Sequence, residues 1–461
     1  MIFGKKAMLH RQAMKHVLVF VSLTLMRLLL FPAKLPSVIA VPQSLETHVD
    51  IEMFVLNSDG SRTDDYCSSG NTNYGCTAFE DNPTYAYPYS TSKPSVPIET
   101  DYLLDVVAQE MSPNPYGEPV ALHAQAIASR SLVNYYINNP PEDGIPVHDP
   151  FNNSNDYQVF LPYRYEQLAT SEQQMVSNAV ASGNYIAYAI DNPDNLAAKA
   201  LFAADIDEHT DEADKPYLVG IPDSISTACD ADDEAINQYG MSQQGANRWA
   251  RGHECSYAGA TIINGNPAGE AWSVQWEFTE YILTHYYTNI HIRNQYGNRL
   301  TPEYRWAPLQ IDWHTADNSM PIMESGTGYS VTFQVQNTGV ITWVGTGQIA
   351  LIYHGWDVAG KRQLLQQPET YVLLEITDPV PPGGTAEDSI TLYPPNPPEP
   401  GTAYQLRFEM GLWQSPPDDW IGFSEAEAGY TWPTYDVTVC VDGACREQVF
   451  LPMVTRGIRV T

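Results

Sequence analysis

The chain has 461 residues, enough for two or three domains that each bury a core, so it is not a disulfide miniprotein. Its 23 Lys and Arg stand against 55 Asp and Glu, and six of those 23 bases fall in the first 40 residues, which contain no acid, leaving 17 against 55 in the remainder. A chain this negative is repelled by phosphate backbones and anionic lipid, which argues against nucleic-acid or membrane-surface binding as a main function.

Residues 1–40 read as basic Lys5, Lys6, Arg11 and Lys15, then the apolar run "HVLVFVSLTLMRLLLFPA", then the small residues around Ala40. That order is the pattern of a secretory signal, and it predicts an exported protein; an uncleaved anchor is the alternative, and the only route to the membrane. Residues 41–98 hold one alternating stretch, "VDIEMFVL", and a polar segment around Cys67 and Cys76. The spacing predicts a strand and a stapled loop leading into the next domain.

From Asp101 the pattern turns helical. "DYLLDVVAQEM" ends at Glu110, and "GEPVALHAQAIASRSLVNYYINNPP" is the strongest helix of the chain, with Pro119 at a first helical position and Pro140-Pro141 beyond its end. Ala121, Ala124, Ala128, Ser131 and Tyr135 recur at helical spacing and predict a strip of mostly small residues that another backbone can approach. "SEQQMVSNAVASG", "SQQGANRWARG" and "AWSVQWEFTEYILTHYY" read as further helices, and "YIAYAI", "KALFAAD" and "PYLVGI" as short strands. Residues 99–295 are therefore expected to form one α+β domain without a regular βαβ repeat.

After a linker expected at 296–320, period-two runs separated by Gly, Pro and Asn turns ("YSVTFQVQNTGVITW", "GQIALIYHGW", "DSITLY", "AYQLRFEMGLW") predict an antiparallel β-sandwich over 321–438. Residues 439–461 form a tail with a small loop between Cys440 and Cys445. The even cysteine count in an exported chain reads as disulfides, and proximity favours the pairs Cys67 with Cys76, Cys229 with Cys255 and Cys440 with Cys445. A metal reading of His253, Cys255 and Cys229, or of His209, is weighed against this and set lower; no cofactor is expected. Neither a phosphate-binding glycine loop nor a serine nucleophile elbow is present.

Several of these segments occur together in one known order. "YLLDVVAQEM", "EPVALHAQAIASRS", "NDYQVF", "ALFAADIDEHT", "KPYLVGIPD", "YGMSQQGANRWARG" and "YILTHYY" resemble the SpoIID/LytB family across roughly residues 95 to 295. The resemblance implies a peptidoglycan lytic transglycosylase in which Glu110 is the catalytic acid. It places Arg130, His123, Gln125, Gln158, Asn237, Ser242 and Gln243 at substrate-binding positions. One carboxyl suffices for that chemistry: a protonated Glu gives its proton to the leaving glycosidic oxygen, then takes the proton of the sugar's own 6-hydroxyl, closing a 1,6-anhydro ring. The usual second glycosidase carboxylate is not needed.

The chain departs from the family where the turn "SPNPYGEP" is longer, where His123 replaces a common lysine, and where "INQYGMSQ" puts Asn237 and Tyr239 in place of a His and a Val. These changes favour the alternative that the family also implies, a non-catalytic peptidoglycan-binding amidase enhancer with a cell-wall amidase as partner, or an envelope scaffold. The segment "VTFQVQNTGVITW" with "IYHGWD", "VPPGGT" and "WIGF" resembles the immunoglobulin-like module of next-to-BRCA1 proteins, with Asn337 and Gly339 expected in a positive-φ turn and Trp343 in the core. A spacing or binding role is expected of it, with Trp356, Trp413 and Trp420 as candidate carbohydrate-stacking rings, although core packing is the commoner use of such residues.

Overall fold

The computed structural model describes residues 45–77, 86–113, 117–139, 151–188, 196–205, 210–228, 239–252, 262–263, 266–267, 274–315, 321–344, 348–358, 371–397, 400–414, 419–427 and 435–443. It is a multidomain α+β chain, with helices and small sheets in its first part and longer antiparallel strands in its last.

The alternating stretch after residue 47 breaks into two strands, β1 (His48–Asp50) and β2 (Phe54–Leu56). The break is at Glu52, whose backbone turns to bridge Asn152 instead of continuing one ladder. Strand β2 pairs with β3 (Arg62–Tyr66), and β1 with β4 (Ser95–Pro97). Cys67 and Cys76 form a disulfide beside β3, as their spacing predicts.

A π-helical turn, Ile98–Tyr102, runs into helix α1 (Leu103–Glu110), and α2 follows (Pro119–Asn138). From Ala124 to Asn134 every residue of α2 is buried. Its polar residues there, Gln125, Ser129, Arg130, Ser131 and Asn134, are buried along with the apolar ones, and neighbours pack on it all round: α1, α3 (Thr170–Val180), β5 (Tyr185–Tyr188) and two later helices. Strand β6 (Phe202–Ala203), helix α4 (Ser224–Ala228), strand β7 (Met241–Ser242) and helix α5 (Gln243–Arg251) come next, with β6 and β7 paired in parallel. The expected strand "PYLVGI" begins in a turn at Pro216 and Tyr217 and forms no named strand, the backbone of Ile221 being held by Thr210. Two short strands, β8 (Ile262–Ile263) and β9 (Asn266–Pro267), precede α6 (Thr279–Tyr286), and β10 (Ile290–Arg293) returns to pair with β5. The helix expected from Ala271 onward therefore begins only at Thr279; Trp276 lies before it, stacked at 3.9 Å on Trp249 of α5.

The segment expected as a linker instead carries strand β11 (Trp306–Asp312), which pairs with β12 (Tyr329–Asn337). Its apolar positions, Trp306, Ala307, Leu309 and Ile311, are buried, and that burial turns the bridge into a strand. Strands β13 (Ile349–Val358), β14 (Tyr371–Glu375), β15 (Thr385–Leu392), β16 (Thr402–Gln414), β17 (Asp419–Gly422) and β18 (Tyr435–Val441) complete two antiparallel sheets, with the short helix α7 (Phe423–Ala426) between the last two. One sheet runs β11-β12-β15; the other runs β14-β13-β16-β17, with β18 on β16. Both contribute to a single core, where Phe333 and Phe408 meet at 4.8 Å.

Asn337 is held by side-chain bonds across the turn, but it is not at the positive φ expected of it. Its side chain bonds Ile341 O and Val380 O, at 2.9 and 2.8 Å, and receives Gly339 N–H. Gly339 is not at positive φ either; the glycine is required because a Cβ there would lie 2.3 Å from Glu303 O. Trp343 is fully buried in the same core. Trp413 is exposed and touches Trp420 edge-on at 5.6 Å, while the side chain of Trp356 and residues 1–44 lie outside what is described. Among the described residues no helix is long and apolar enough to cross a membrane.

Candidate active site

Helix α1 presents two carboxylates to one neighbouring segment. Asp105 accepts the backbone N–H groups of Tyr165 and Tyr163, at 2.9 and 3.1 Å, and Glu110 at the end of the helix accepts Val159 N–H on Oε1 at 2.5 Å. Segment 159–165 is thus gripped at three points. One of them, Tyr163, sits at φ 63, a conformation a bulky residue adopts only when its surroundings enforce it. Burial pushes the Asp105 carboxyl well above the usual carboxylate range, against the two backbone bonds that favour its charged form.

Glu110 remains partly accessible as a residue, yet its carboxyl is packed closely enough that burial dominates its ionisation. Burial lifts it to about 7; the bonds from Val159 and Gln243 oppose that rise without cancelling it. Gln243 Nε2 donates to Glu110 Oε2 at 3.3 Å and also to Gln125 Oε1 at 3.2 Å. Gln125 in turn donates to Ser129 Oγ at 3.1 Å, one helical turn along α2.

The loop ahead of α5 brings Gln243 to this position. Gly240 is at φ 73, and a Cβ there would lie 2.0 Å from Leu201 O, so only glycine lets β7 lie against β6. Ser242 then caps α5, accepting Gly245 N–H at 2.9 Å. Beneath it, Arg248 makes a two-pronged pair with Asp205, both contacts at 3.0 Å. Asn247 of the same helix accepts Glu118 N–H at 2.8 Å, satisfying a donor at the start of α2 that the helix itself cannot and fixing the two helices relative to each other.

Of the residues expected to bind substrate, Gln243 meets Glu110 directly. Four others are buried and hold interior partners. Arg130 is fully buried and its guanidinium holds Glu99 through two 2.7 Å bonds, together with Val180 O and Asn184 O. It clamps α3 and the turn after it instead of lining a groove, because position 130 lies on a different side of α2 from Gln125 and Ser129. Gln125 is fully buried behind Gln243, Gln158 donates inward to Ser129 O at 3.3 Å, and Ser242 is spent on its cap. His123 is half-buried; its Nδ1 lies 3.0 Å from Thr279 Oγ1, and burial first of all lowers the pKa of the ring. Asn237 lies outside the described residues, as do Cys229, Cys255 and Cys445; Cys440 is disulfide-bonded.

Sequence reasoning passed over two contributors. Val159 acts through its backbone N–H, which no side-chain pattern reveals. Asp105 looked like one more acid on a helix, although its five-residue offset from Glu110 was visible. Among the described residues no three His, Cys, Asp or Glu converge as metal ligands do, and His209 and His253 fall outside them.

Residues 91–188 match the family model described as SpoIID, Stage II sporulation protein. That span contains α1, α2, Glu110 and Val159. No curated protein matches the chain. A solved Niemann-Pick type C2 protein from the Japanese carpenter ant matches at 9% identity and TM-score 0.19, over 31% of this chain and 94% of that one, a likeness too slight to carry fold or function.

Proposed function

We propose that the protein cleaves peptidoglycan glycan strands as a lytic transglycosylase, with Glu110 acting first as acid and then as base. The observation that carries this reading is Glu110, partly accessible as a residue and with its carboxyl lifted to about 7 by burial. A group poised there is protonated in a useful fraction near neutral pH, and its conjugate base is strong enough to accept a hydroxyl proton. The groups that shift it are the surrounding burial, Val159 N–H and Gln243; no second acid appears among them. A lone acid suits ring closure by the sugar's own 6-hydroxyl, in which the substrate supplies the nucleophile.

In the first step the Glu110 proton passes to the glycosidic oxygen as its bond to the anomeric carbon breaks. The carboxylate, held by Val159 and Gln243, then removes the proton of the 6-hydroxyl as that oxygen bonds the anomeric carbon. The proton lost in the first step is regained in the second, so the enzyme ends as it began. The match of residues 91–188 to a sporulation family supports a cell-wall substrate. The rival reading, a non-catalytic glycan binder that assists a cell-wall amidase, keeps the same site and drops the chemistry.

The β-rich part is proposed as an immunoglobulin-like spacing or binding module, a reading supported by its two antiparallel sheets around one core and by the Asn337 turn. Export through residues 1–40 is part of the same proposal. Incubating the protein and its Glu110→Gln variant with peptidoglycan, with and without stem peptides, separates the readings. Anhydro-ended products from the unaltered chain alone are expected; their absence on both substrates would remove the enzymatic one.

A further inference from the structure

Any group that alternates between acid and base needs neighbours that suit both of its states. A carboxylate wants donors, and a carboxylic acid needs an acceptor for its O–H. Glu110 Oε1 faces the Val159 backbone N–H, which can only donate, so the acid proton belongs on Oε2, the oxygen that faces Gln243. As described, Gln243 turns its amide N–H toward Oε2, the arrangement that fits the carboxylate. Against the protonated acid it would set donor against donor.

The chain behind Gln243 is built from groups that exchange donor for acceptor without displacing the backbone. Gln243 Nε2 reaches Gln125 Oε1 at 3.2 Å, and Gln125 Nε2 reaches Ser129 Oγ at 3.1 Å. Amide oxygen and nitrogen are nearly equal in size, so a half-turn of each amide fits the same space, and a hydroxyl rotates freely. Turning Gln243 alone would oppose its oxygen to that of Gln125. Turning both restores every bond: Gln243 Oε1 then accepts from Glu110 and from Gln125 Nε2, and Gln125 Oε1 accepts from the Ser129 hydroxyl. The far end of the chain is a neutral hydroxyl, where a charged group would have locked it in one sense. Gln125 and Ser129 are fully buried and Gln243 is 7% exposed, so water offers little alternative partnership.

We propose that Gln243, Gln125 and Ser129 form a reversible hydrogen-bond chain that donates to the Glu110 carboxylate and accepts from its acid, making both glutamines positioning residues for proton transfer. The inference rests on Glu110 as the acid and base, but its test needs no turnover. In protein labelled at glutamine side-chain amides and glutamate carboxyls, NMR across about pH 5 to 9 follows Glu110 and Gln125 together. The Gln125 signal is identified by its loss in Gln125→Met.

Although Gln125 makes no bond to Glu110, its amide signal is expected to move with the same midpoint as the Glu110 carboxyl. In Gln243→Met that movement stops while Glu110 still titrates, and in the milder Ser129→Ala variant it shrinks. In the cleavage assay Gln125→Met lowers kcat about tenfold with KM unchanged, the pattern of impaired proton transfer rather than lost binding. A Gln125 signal that stays flat while Glu110 titrates overturns the chain even in an active enzyme. A chain that inverts in a protein releasing no anhydro product upholds the reversible hydrogen bonds but removes the enzymatic reading, and with it the proton-transfer role of the glutamines.

Discussion

Replacing Glu110 by Gln should change the pH dependence of stability in a direction set by its burial. The folded carboxyl titrates at about 7 against an ordinary value of 4.5. Below about pH 4.5 it is protonated in both states and stability is unaffected; as pH rises toward 7 the unfolded chain ionises while the folded chain resists, so stability falls. At 1.36 kcal/mol per unit the shift corresponds to about 3 kcal/mol, reduced to about 2 because the residue is partly accessible and water screens the charge. A glutamine amide cannot ionise, so the Glu110→Gln variant lacks this loss. Urea unfolding of both proteins, followed by circular dichroism and tryptophan fluorescence from about pH 4.5 to 8, gives the difference directly. The variant should gain about 2 kcal/mol relative to the unaltered chain across that range, with the change complete just above pH 7. A difference that stays constant with pH would mean that Glu110 titrates as an ordinary surface carboxyl, and the argument for its role as an acid would fail.

Glycan cleavage should decline as pH rises through about 7, since Glu110 must enter the reaction protonated; product release measured against pH tests this. Arg130→Met should cost about 2 to 3 kcal/mol in denaturant titrations, because Val180 O and Asn184 O lose a buried donor while the half-exposed Glu99 relaxes to water. Gly240→Ala should lower stability by more than about 2 kcal/mol and abolish cleavage, since the new Cβ meets Leu201 O and displaces the strand that delivers Gln243. Replacing Cys67 and Cys76 by Ala should cost about 2 to 3 kcal/mol by thermal unfolding, the entropy of closing a loop across a sequence separation of 9.

How far the sequence could be read depended on which residue carried the information. Helix α2 was legible because Pro119, the small-residue strip and the closing prolines are local signals, and Glu110 because it ends an apolar helical run. The near disulfide followed from spacing. Arg130 took its expected place from the resemblance alone; its partners Glu99, Val180 O and Asn184 O come from other segments, so no local pattern in the sequence shows its burial. The strand in the supposed linker was hidden because only its second half, "LQID", alternates, and a bulge between Pro308 and Gln310 interrupts the ladder; both faces are covered, one by the β core and the other by the first domain. Val159 could not be found at all, since its contribution is a backbone group that only the fold aims at Glu110.

That covered face of β11 also bears on how the two parts work together. Trp276 Nε1 donates to Pro308 O at 2.9 Å, and Gly383 lies so close to Thr288 that a Cβ would stand 2.4 Å from its methyl. His285 of α6 contacts Gln336 Oε1 of β12 at 2.8 Å; Gln336 Nε2 is held by Gly383 O, so the oxygen faces His285 and Nδ1 must donate. On its other side His285 faces buried Asp223, 3.4 Å away. Burial pushes the Asp223 carboxyl up, but His285, Tyr286 and Ser226 together outweigh it and hold the carboxyl below its usual range. Asp223 also receives Trp249 Nε1 at 2.8 Å, and Trp249 belongs to α5, the helix whose first residue is Gln243. A chain ended before Trp306 would therefore expose Trp276 and strip His285 of its partner within the domain that positions Gln243. The β-rich part acts as a wall of the first domain's core, so tests of Glu110 chemistry belong on a chain that contains both.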